Sequence, residues 1–140
     1  MKLWALILLA ACSIARAEIG SVIDLAGTAI IKRGKETITV SKGTHVEMND
    51  RVETKNGVAN IRFKDDTSVK VTENSALVID DFVYDPKNAA GGKLSLKAAA
   101  GTVRYVSGNI AHNNPNSVKI NTPTAAIAVR GTDVVMAVDE

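Results

Sequence analysis

The sequence has little of the residue types on which metal sites depend. Its single cysteine, Cys12, leaves no internal disulfide, and its two histidines, His45 and His112, are far apart along the chain. A structural zinc site needs about four ligands of these types, so the sequence predicts no metal site and no cofactor. Both histidines are predicted to be ordinary loop residues.

Motifs of common enzyme classes are also absent. There is no G-x-S-x-G nucleophile motif and no G-x-x-x-x-G-K-[ST] phosphate loop. The paired acids Asp65-Asp66 and Asp80-Asp81, with Asp85 nearby, are predicted to be solvated turn residues, since neighbouring strand residues point to opposite faces. We therefore expect a non-catalytic protein. The alternative is an exported enzyme that acts on envelope polymers, and it requires Asp65, Asp80 or Asp85 to converge in one pocket.

The apolar run Leu3–Ala11 is shorter than the roughly 20 residues that span a bilayer. It follows Lys2 and precedes an A-x-A cleavage site at residues 15–17, which predicts a signal peptide over residues 1–17 and one domain over residues 18–140. Leu9-Ala10-Ala11-Cys12 also has the pattern of a lipoprotein cleavage box, so lipidation of Cys12 is the alternative and would supply the one expected membrane contact. Both alternatives predict export, to the periplasm or the outer membrane.

An excess of one charge is missing from the predicted domain. The chain has 17 Lys and Arg and 15 Asp and Glu, and residues 1–17 contain Lys2 and Arg16 but no acid, so 15 of each sign remain. A neutral domain lacks the overall cationic field of nucleic-acid-binding proteins, and no nucleic-acid partner is expected.

Aromatic residues are scarce, at 4% of the chain. Phe82 and Tyr84 share one face of the segment Asp81–Tyr84, and they are the pair that could form an exposed binding surface. Packing at the periphery of the core is the favoured interpretation, because aromatic side chains contribute strongly to burial in a small domain.

Short runs of Val, Ile and Thr, bounded by Gly, Asn, Asp or Lys, recur at intervals of about 8 to 12 residues. This spacing predicts an all-β protein, an antiparallel jelly-roll-like β-sandwich of about 10 to 12 short strands, with a β-solenoid-like roll as the alternative. Gly91-Gly92 and His112–Asn116 are predicted to be loops. The predicted strands are Ser21–Leu25, Ala29–Lys32, Thr37–Val40, Arg51–Thr54, Ala59–Phe63, Ser68–Thr72, Ala76–Ile79, Lys93–Leu96, Thr102–Val106, Ser117–Ile120, Ala125–Val129 and Val134–Val138.

An ordered series of short motifs resembles the FecR protein domain family from about Ile19 onward. Asn49-Asp50-Arg51-Val52-Glu53-Thr54 is similar to its G-D-x-V-x-T element, with Asn in place of Gly. Phe63–Ser68 is similar to its F-x-D-G-S hairpin, with Asp66 in place of Gly. The remaining matches are Gly20-Ser21-Val22, Gly27-Thr28-Ala29, Gly43, Asn74–Leu77, Leu96 to Val103, Thr122–Ala125 and Val129–Asp133.

The resemblance implies a non-catalytic β domain that binds, scaffolds or signals in the bacterial envelope, with a protein or polysaccharide partner. The named family members are envelope regulators with an anti-sigma segment, a membrane helix and often a receptor-contacting domain. We expect none of these here, so iron-dicitrate signalling is not carried over to this chain. A truncated or phage-borne copy of the domain is a further alternative.

The segment Thr122–Asp133 carries the last motif, with Thr122, Pro123, Arg130, Gly131 and Thr132 as its structural residues. Larger apolar residues occupy odd positions before Gly131 and even positions after it, which predicts a β-bulge there. Arg130 is expected to bond neighbouring carbonyls or an acid, either Asp133 or Glu53, rather than to bind an anion. Because family members commonly continue with another hairpin, we also expect an edge strand that is open to a partner or to a second copy.

Overall fold

The computed structural model describes residues 18–87, 91–123, 126–128 and 133–138. The predicted signal peptide and Cys12 lie outside these residues. The described chain forms twelve strands, one short α-helix and a 3-10 helix. In order they are β1 Gly20–Ala26, β2 Ala29–Arg33, β3 Glu36–Thr39, β4 His45–Val46, β5 Arg51–Thr54, β6 Val58–Phe63, β7 Ser68–Val71, β8 Ala76–Val83, β9 Lys93–Val106, α1 Asn109–Asn113, the 3-10 helix Pro115–Ser117, β10 Val118–Asn121, β11 Ala126–Ala128 and β12 Asp133–Val138.

The strands form one curled sheet with two halves. The first half-sheet has the order β3-β2-β5-β8-β9-β10-β11, and the second has the order β4-β1-β6-β7-β9-β12. Strand β9 belongs to both, because its first part pairs with β8 and its last part pairs with β7 and β12. All pairings are antiparallel except that of β9 with β10. The predicted all-β class is therefore confirmed, with the two layers joined by β9.

The core lies between the two half-sheets and is built largely by alternation along the strands. In β6, Ala59, Ile61 and Phe63 are buried while Arg62 is exposed. Phe63 stacks on Phe82 of the first half-sheet with ring centroids 5.5 Å apart. Burial of such aliphatic and aromatic surface is the dominant stabilising contribution in a domain without disulfides or metals.

The corner at which β9 passes between the half-sheets is held by polar side chains. Gly101 has a φ of +73° there, and a Cβ atom at this position would lie 2.2 Å from the Ser75 Oγ. The Ser75 hydroxyl accepts a hydrogen bond from the Thr102 amide (2.9 Å), and the Ser75 amide donates to the Thr54 hydroxyl (3.1 Å). The Thr54 hydroxyl donates to the Thr72 carbonyl. Residues from three of the predicted family motifs therefore meet at one corner.

Beyond shifts of one residue at several strand ends, the structure differs from the predicted strands and loops at four places. Lys93–Leu96 and Thr102–Val106 are parts of the single strand β9, because Ala98-Ala99-Ala100-Gly101 is small enough to continue through the corner. The β8 strand extends to Val83, and the two-residue strand β4 was missed. The predicted loop His112–Asn116 begins within α1, a helix of five residues that is too short to show a hydrophobic period.

Both substitutions of a family glycine lie in the left-handed region of the backbone. Asp66 has a φ of +68° and Asn49 a φ of +69°. These are the two residue types, besides glycine, that tolerate this conformation best. This tolerance explains why an Asp can replace the hairpin glycine.

Candidate binding face

Asp65 is fully buried, so its prediction as a solvated turn acid is wrong. Its carboxylate accepts hydrogen bonds from the Thr67 amide (3.1 Å), the Thr67 hydroxyl (2.7 Å) and the Ile110 amide (3.1 Å). Its carbonyl accepts a fourth bond from the Asn109 amide (2.7 Å). Asp65 therefore fixes the β6–β7 hairpin to the start of α1, and its lone pairs are occupied by the protein itself.

Asp50 is the second fully buried acid, and it is paired with Arg33 from β2. The Arg33 Nε and Nη2 donate to the two Asp50 carboxylate oxygens at 2.9 and 2.8 Å, and Nη1 contacts Glu47 at 2.5 Å. The hydrogen bond to Asp50 is the largest cause of the raised pKa of Arg33. Arg33 neutralises Asp50, and the cluster with Glu47 has a formal charge of −1. These contacts, with the hydrogen bond from the Glu47 amide to Asp50, hold the β4–β5 turn in place.

The other acids of the predicted pairs are on the surface. Asp66, Asp80 and Asp85 are exposed, and Asp81 is half-buried. Asp65, Asp80 and Asp85 are not among the residues that line four of the most prominent surface cavities of the described chain. Nor do the described residues include a group of three or more His, Cys, Asp or Glu that could hold a metal ion. The alternative of an enzyme that uses surface carboxylates gains no support from this geometry.

The predicted aromatic surface is only partly exposed. Phe82 is buried against Phe63 and so does not offer a free aromatic face, and Tyr84 is half-buried against the core. The Phe82 edge still contributes to a cavity of about 490 Å³, together with Ile19 and Met48. Of the two interpretations, peripheral packing agrees better with these positions.

Most of the C-terminal motif lies outside the described residues. This applies to Arg130, Gly131 and Thr132, and therefore to the predicted bulge and to the acid that Arg130 contacts. Thr122 is half-exposed and Pro123 is exposed. Strand β11, before this segment, pairs with β10 of the first half-sheet, whereas β12, after it, pairs with β9 in the second.

The outward side of the first half-sheet carries a concentration of cations that we call the basic face. Alternation along the strands turns these side chains to solvent, since their neighbours Ile31, Val52, Leu96 and Val118 are buried. The basic face consists of Lys32, Arg51, Lys55, Lys93, Lys97 and Lys119.

Carboxylates on this face are fewer, and two of the three form ion pairs with its cations. Glu53 contacts Arg51 at 2.7 Å and Lys32 at 3.4 Å, and the hydrogen bond from Arg51 is the main cause of its lowered pKa. Asp81 contacts Lys93 at 3.3 Å. Asp80 is exposed at the bulge of β8. Counting all three acids against six cations leaves an excess of three positive charges.

Lys97 and Lys119 lie on the neighbouring strands β9 and β10, at one end of the basic face. In the parallel pair of β9 and β10, Lys97 is opposite Asn121 and Lys119 is opposite Ser95. The two lysines are therefore diagonal neighbours, with Cα atoms roughly 8 Å apart. Both side chains are exposed, and neither forms an ion pair with any residue that the structure describes.

Two cavities open on the basic face. The first has a volume of about 530 Å³, and the second, of about 470 Å³, has a floor of small and aliphatic residues that includes Ile30, Ala76 and Ala100. Arg51, Glu53 and Lys55 line the second. The first is lined by Asp81, Gly91, Gly92, Lys93, Leu94, Ser95, Asn116, Ser117 and Lys119.

The net charge of the sequence does not reveal the basic face, because it does not show how the charged side chains are distributed over the surface. The signal was nevertheless present: Lys93, Ser95 and Lys97 alternate with Leu94 and Leu96, so the cations share the polar side of a strand. What the alternation could not show is that β2, β5, β8, β9 and β10 lie side by side. That order places cations distant in sequence on one surface.

The family model described as FecR protein matches residues 50–140. This range covers more than half of the chain, and the protein belongs to the FecR family. The match begins at Asp50, whereas the resemblance noted in the sequence began near Ile19. Strands β1 and β2, which precede the matched range, pair with β6 and β5, and so are part of the same sheet.

Membership in this family implies, at a coarse level, a non-enzymatic role related to signalling in the cell envelope. Searches of curated proteins and of solved structures gave no significant match. No helix among the described residues is long and apolar enough to cross a membrane.

Proposed function

We propose that the protein is an exported, non-catalytic binding module of the bacterial envelope, and that its partner, a protein or a polysaccharide, docks on the basic face. The observation that carries this proposal is the separation of charge. A domain with equal numbers of acids and cations has an excess of three positive charges on one side of one half-sheet. Exposed lysines without carboxylate partners favour association with anionic groups.

The acids of the family motifs, Asp50 and Asp65, are bonded to other groups of the protein, and this also supports binding rather than catalysis. The Asp65 carboxylate is occupied by three donors, and Asp50 is neutralised by Arg33. A general acid or base must instead be within reach of a substrate. These buried acids therefore act in stability, and the surface that remains for a partner is that of the half-sheets.

An envelope pull-down with the tagged full-length chain tests this proposal. The variant Lys97→Glu/Lys119→Glu reverses two charges of the basic face, on the neighbouring strands β9 and β10. The matched control Lys42→Glu/Lys70→Glu makes the same change in net charge at two exposed lysines outside the basic face. We expect the wild type and the control to retain the same partner and the face variant to lose it. Equal retention by all three proteins would contradict docking on the basic face.

Localisation is tested separately by cell fractionation and by a fatty-acid probe. We propose an envelope location, with signal cleavage after Ala17 or lipidation of Cys12. Incorporation of the probe into the wild type but not into Cys12→Ser would show lipidation. Recovery of the unprocessed chain in the cytoplasm would contradict export.

A further inference from the structure

The composition of the basic face is unlike that of a protein–protein interface. Such interfaces are enriched in aromatic residues, Met and Arg at their centre and depleted in Lys. The basic face has five lysines and one arginine, and the residues that line its two cavities include no aromatic side chain. The largest exposed aliphatic group beside it is Val83. This composition favours a highly hydrated, anionic partner over an apolar protein surface.

The first cavity supplies groups that suit a hydroxyl-rich ligand. Ser95, Asn116 and Ser117 provide hydroxyl and amide groups, which can both donate and accept hydrogen bonds. Lys93 and Lys119 flank them. The Lys119 ammonium group has three donors for a carboxylate or another anionic oxygen, whereas the Lys93 ammonium group also contacts Asp81, which lines the same cavity. Sugar rings that carry hydroxyl groups and a charged substituent would satisfy both kinds of group.

The cations also form a row that is too long for a single small ion. Lys32, Arg51, Val78 and Lys97 are consecutive cross-strand partners on β2, β5, β8 and β9. On β10 the partner of Lys97 is Asn121, and Lys119 lies two residues before it. Five adjacent strands span about 19 Å at the usual strand spacing. A linear polymer with repeated negative charges matches this length.

Resting on the proposed function above, we propose that the basic face binds an acidic polysaccharide whose sugar units carry carboxylate groups. The polymer lies across β2, β5, β8, β9 and β10, and the cavity between Lys93 and Lys119 holds one of its charged units. Binding is electrostatic, so it weakens as salt concentration rises. Neutral polysaccharides do not bind, because the face offers them no aromatic platform.

The test uses fluorescently labelled oligogalacturonate, a polymer of carboxylated sugars, titrated with the full chain at low and physiological salt. Kd is measured for the wild type, for Lys97→Glu/Lys119→Glu and for the control Lys42→Glu/Lys70→Glu. We expect saturable binding that weakens with salt and a loss of about tenfold or more in the face variant, since each exposed charge contact contributes a few-fold. The control should differ from the wild type by less than about threefold, and labelled dextran should not bind.

Three results would overturn the inference. The first is no saturable binding of oligogalacturonate at low salt, and the second is an equal loss of affinity in both double variants. The third is binding of duplex DNA that is as tight as that of oligogalacturonate and is weakened equally by Lys97→Glu/Lys119→Glu. The last result would identify a general polyanion site rather than a polysaccharide site. If the pull-down recovers a partner while oligogalacturonate fails to bind, the proposed function stands and only the polysaccharide assignment fails.

Discussion

At the scale of single residues, the acids of this chain divide into two physical classes that the sequence could not separate. Asp65 and Asp66 are neighbours in one hairpin, yet Asp65 is buried with three side-chain hydrogen bonds and Asp66 is exposed. The adjacent-acid pattern correctly predicted a turn at these positions. It could not reveal Asp65's partner Ile110, which lies 45 residues away in sequence.

Replacing Asp65 tests its role in holding α1. Asp65→Ala removes three acceptor contacts and leaves the Ile110 amide without its partner. We expect the free energy of unfolding to fall by about 3 kcal/mol, as for a buried, charge-assisted hydrogen-bond cluster. Asp66→Asn is the matched control, since Asn tolerates the same positive φ, and it should change stability by less than about 0.5 kcal/mol. Urea denaturation of both variants measures the difference, and equal stabilities would contradict this role.

Tyr105 carries a pH-dependent contribution to stability. It is fully buried, and its hydroxyl has no hydrogen-bond partner among the described residues. Burial, with a smaller effect of the Asp65 charge, raises its pKa from 10.0 to about 12. Because the folded pKa lies above the unfolded one, the contribution is fully present below pH 10 and is lost as pH rises towards 12.

The variant Tyr105→Phe isolates this effect from the titration of lysines. It should be as stable as the wild type or more stable at pH 8, because it removes a buried hydroxyl without a partner. Between about pH 10 and 12, the window set by the two pKa values, wild-type Tm should fall more steeply than that of Tyr105→Phe. Parallel Tm curves for the two proteins would show that Tyr105 ionises as easily folded as unfolded.

At the scale of secondary-structure elements, local pattern predicted most strands but not how they join. Arg51–Thr54 was predicted at its observed bounds, because its alternation and flanking turn residues are clear. Strand β9 was predicted as two strands, since the run Ala98–Gly101 has no β-branched residue to mark it as strand. Continuity through the corner depends on contacts with Ser75 and Thr72, which no local signal shows.

Gly101 is the residue on which the β9 corner depends. In Gly101→Ala, the added Cβ would lie 2.6 Å from the Asn74 carbonyl oxygen in a backbone with positive φ. We expect a loss of about 3 kcal/mol or more. Gly34→Ala is the control, since Gly34 also has a positive φ but no atom within 4 Å of the added Cβ, and it should cost about 1 kcal/mol. Equal losses in thermal or urea unfolding would show that close packing at the corner contributes nothing.

At the scale of the whole molecule, fold class and family could be predicted from sequence, whereas the binding surface could not. The periodic strands and ordered motifs suffice for an all-β FecR domain, and the family match agrees. The basic face depends on the order of strands in the sheet, which brings Lys32 and Lys119 to one side. Residues 18–140 have equal numbers of acidic and basic residues, and this neutral total does not show that the charges are separated on the surface. The total argues only against an overall cationic field.

The central claim is that the basic face is where this FecR domain meets its partner. The most direct measurement is a two-dimensional ¹H–¹⁵N NMR titration of the labelled protein with oligogalacturonate, or with the partner that the pull-down recovers. Saturable shifts should cluster at Lys93–Lys97 of β9 and at Lys119 of β10, and leave Lys70 on the second half-sheet unchanged. Shifts centred on β6 and β7 instead, with Lys97 and Lys119 unaffected, would contradict the claim.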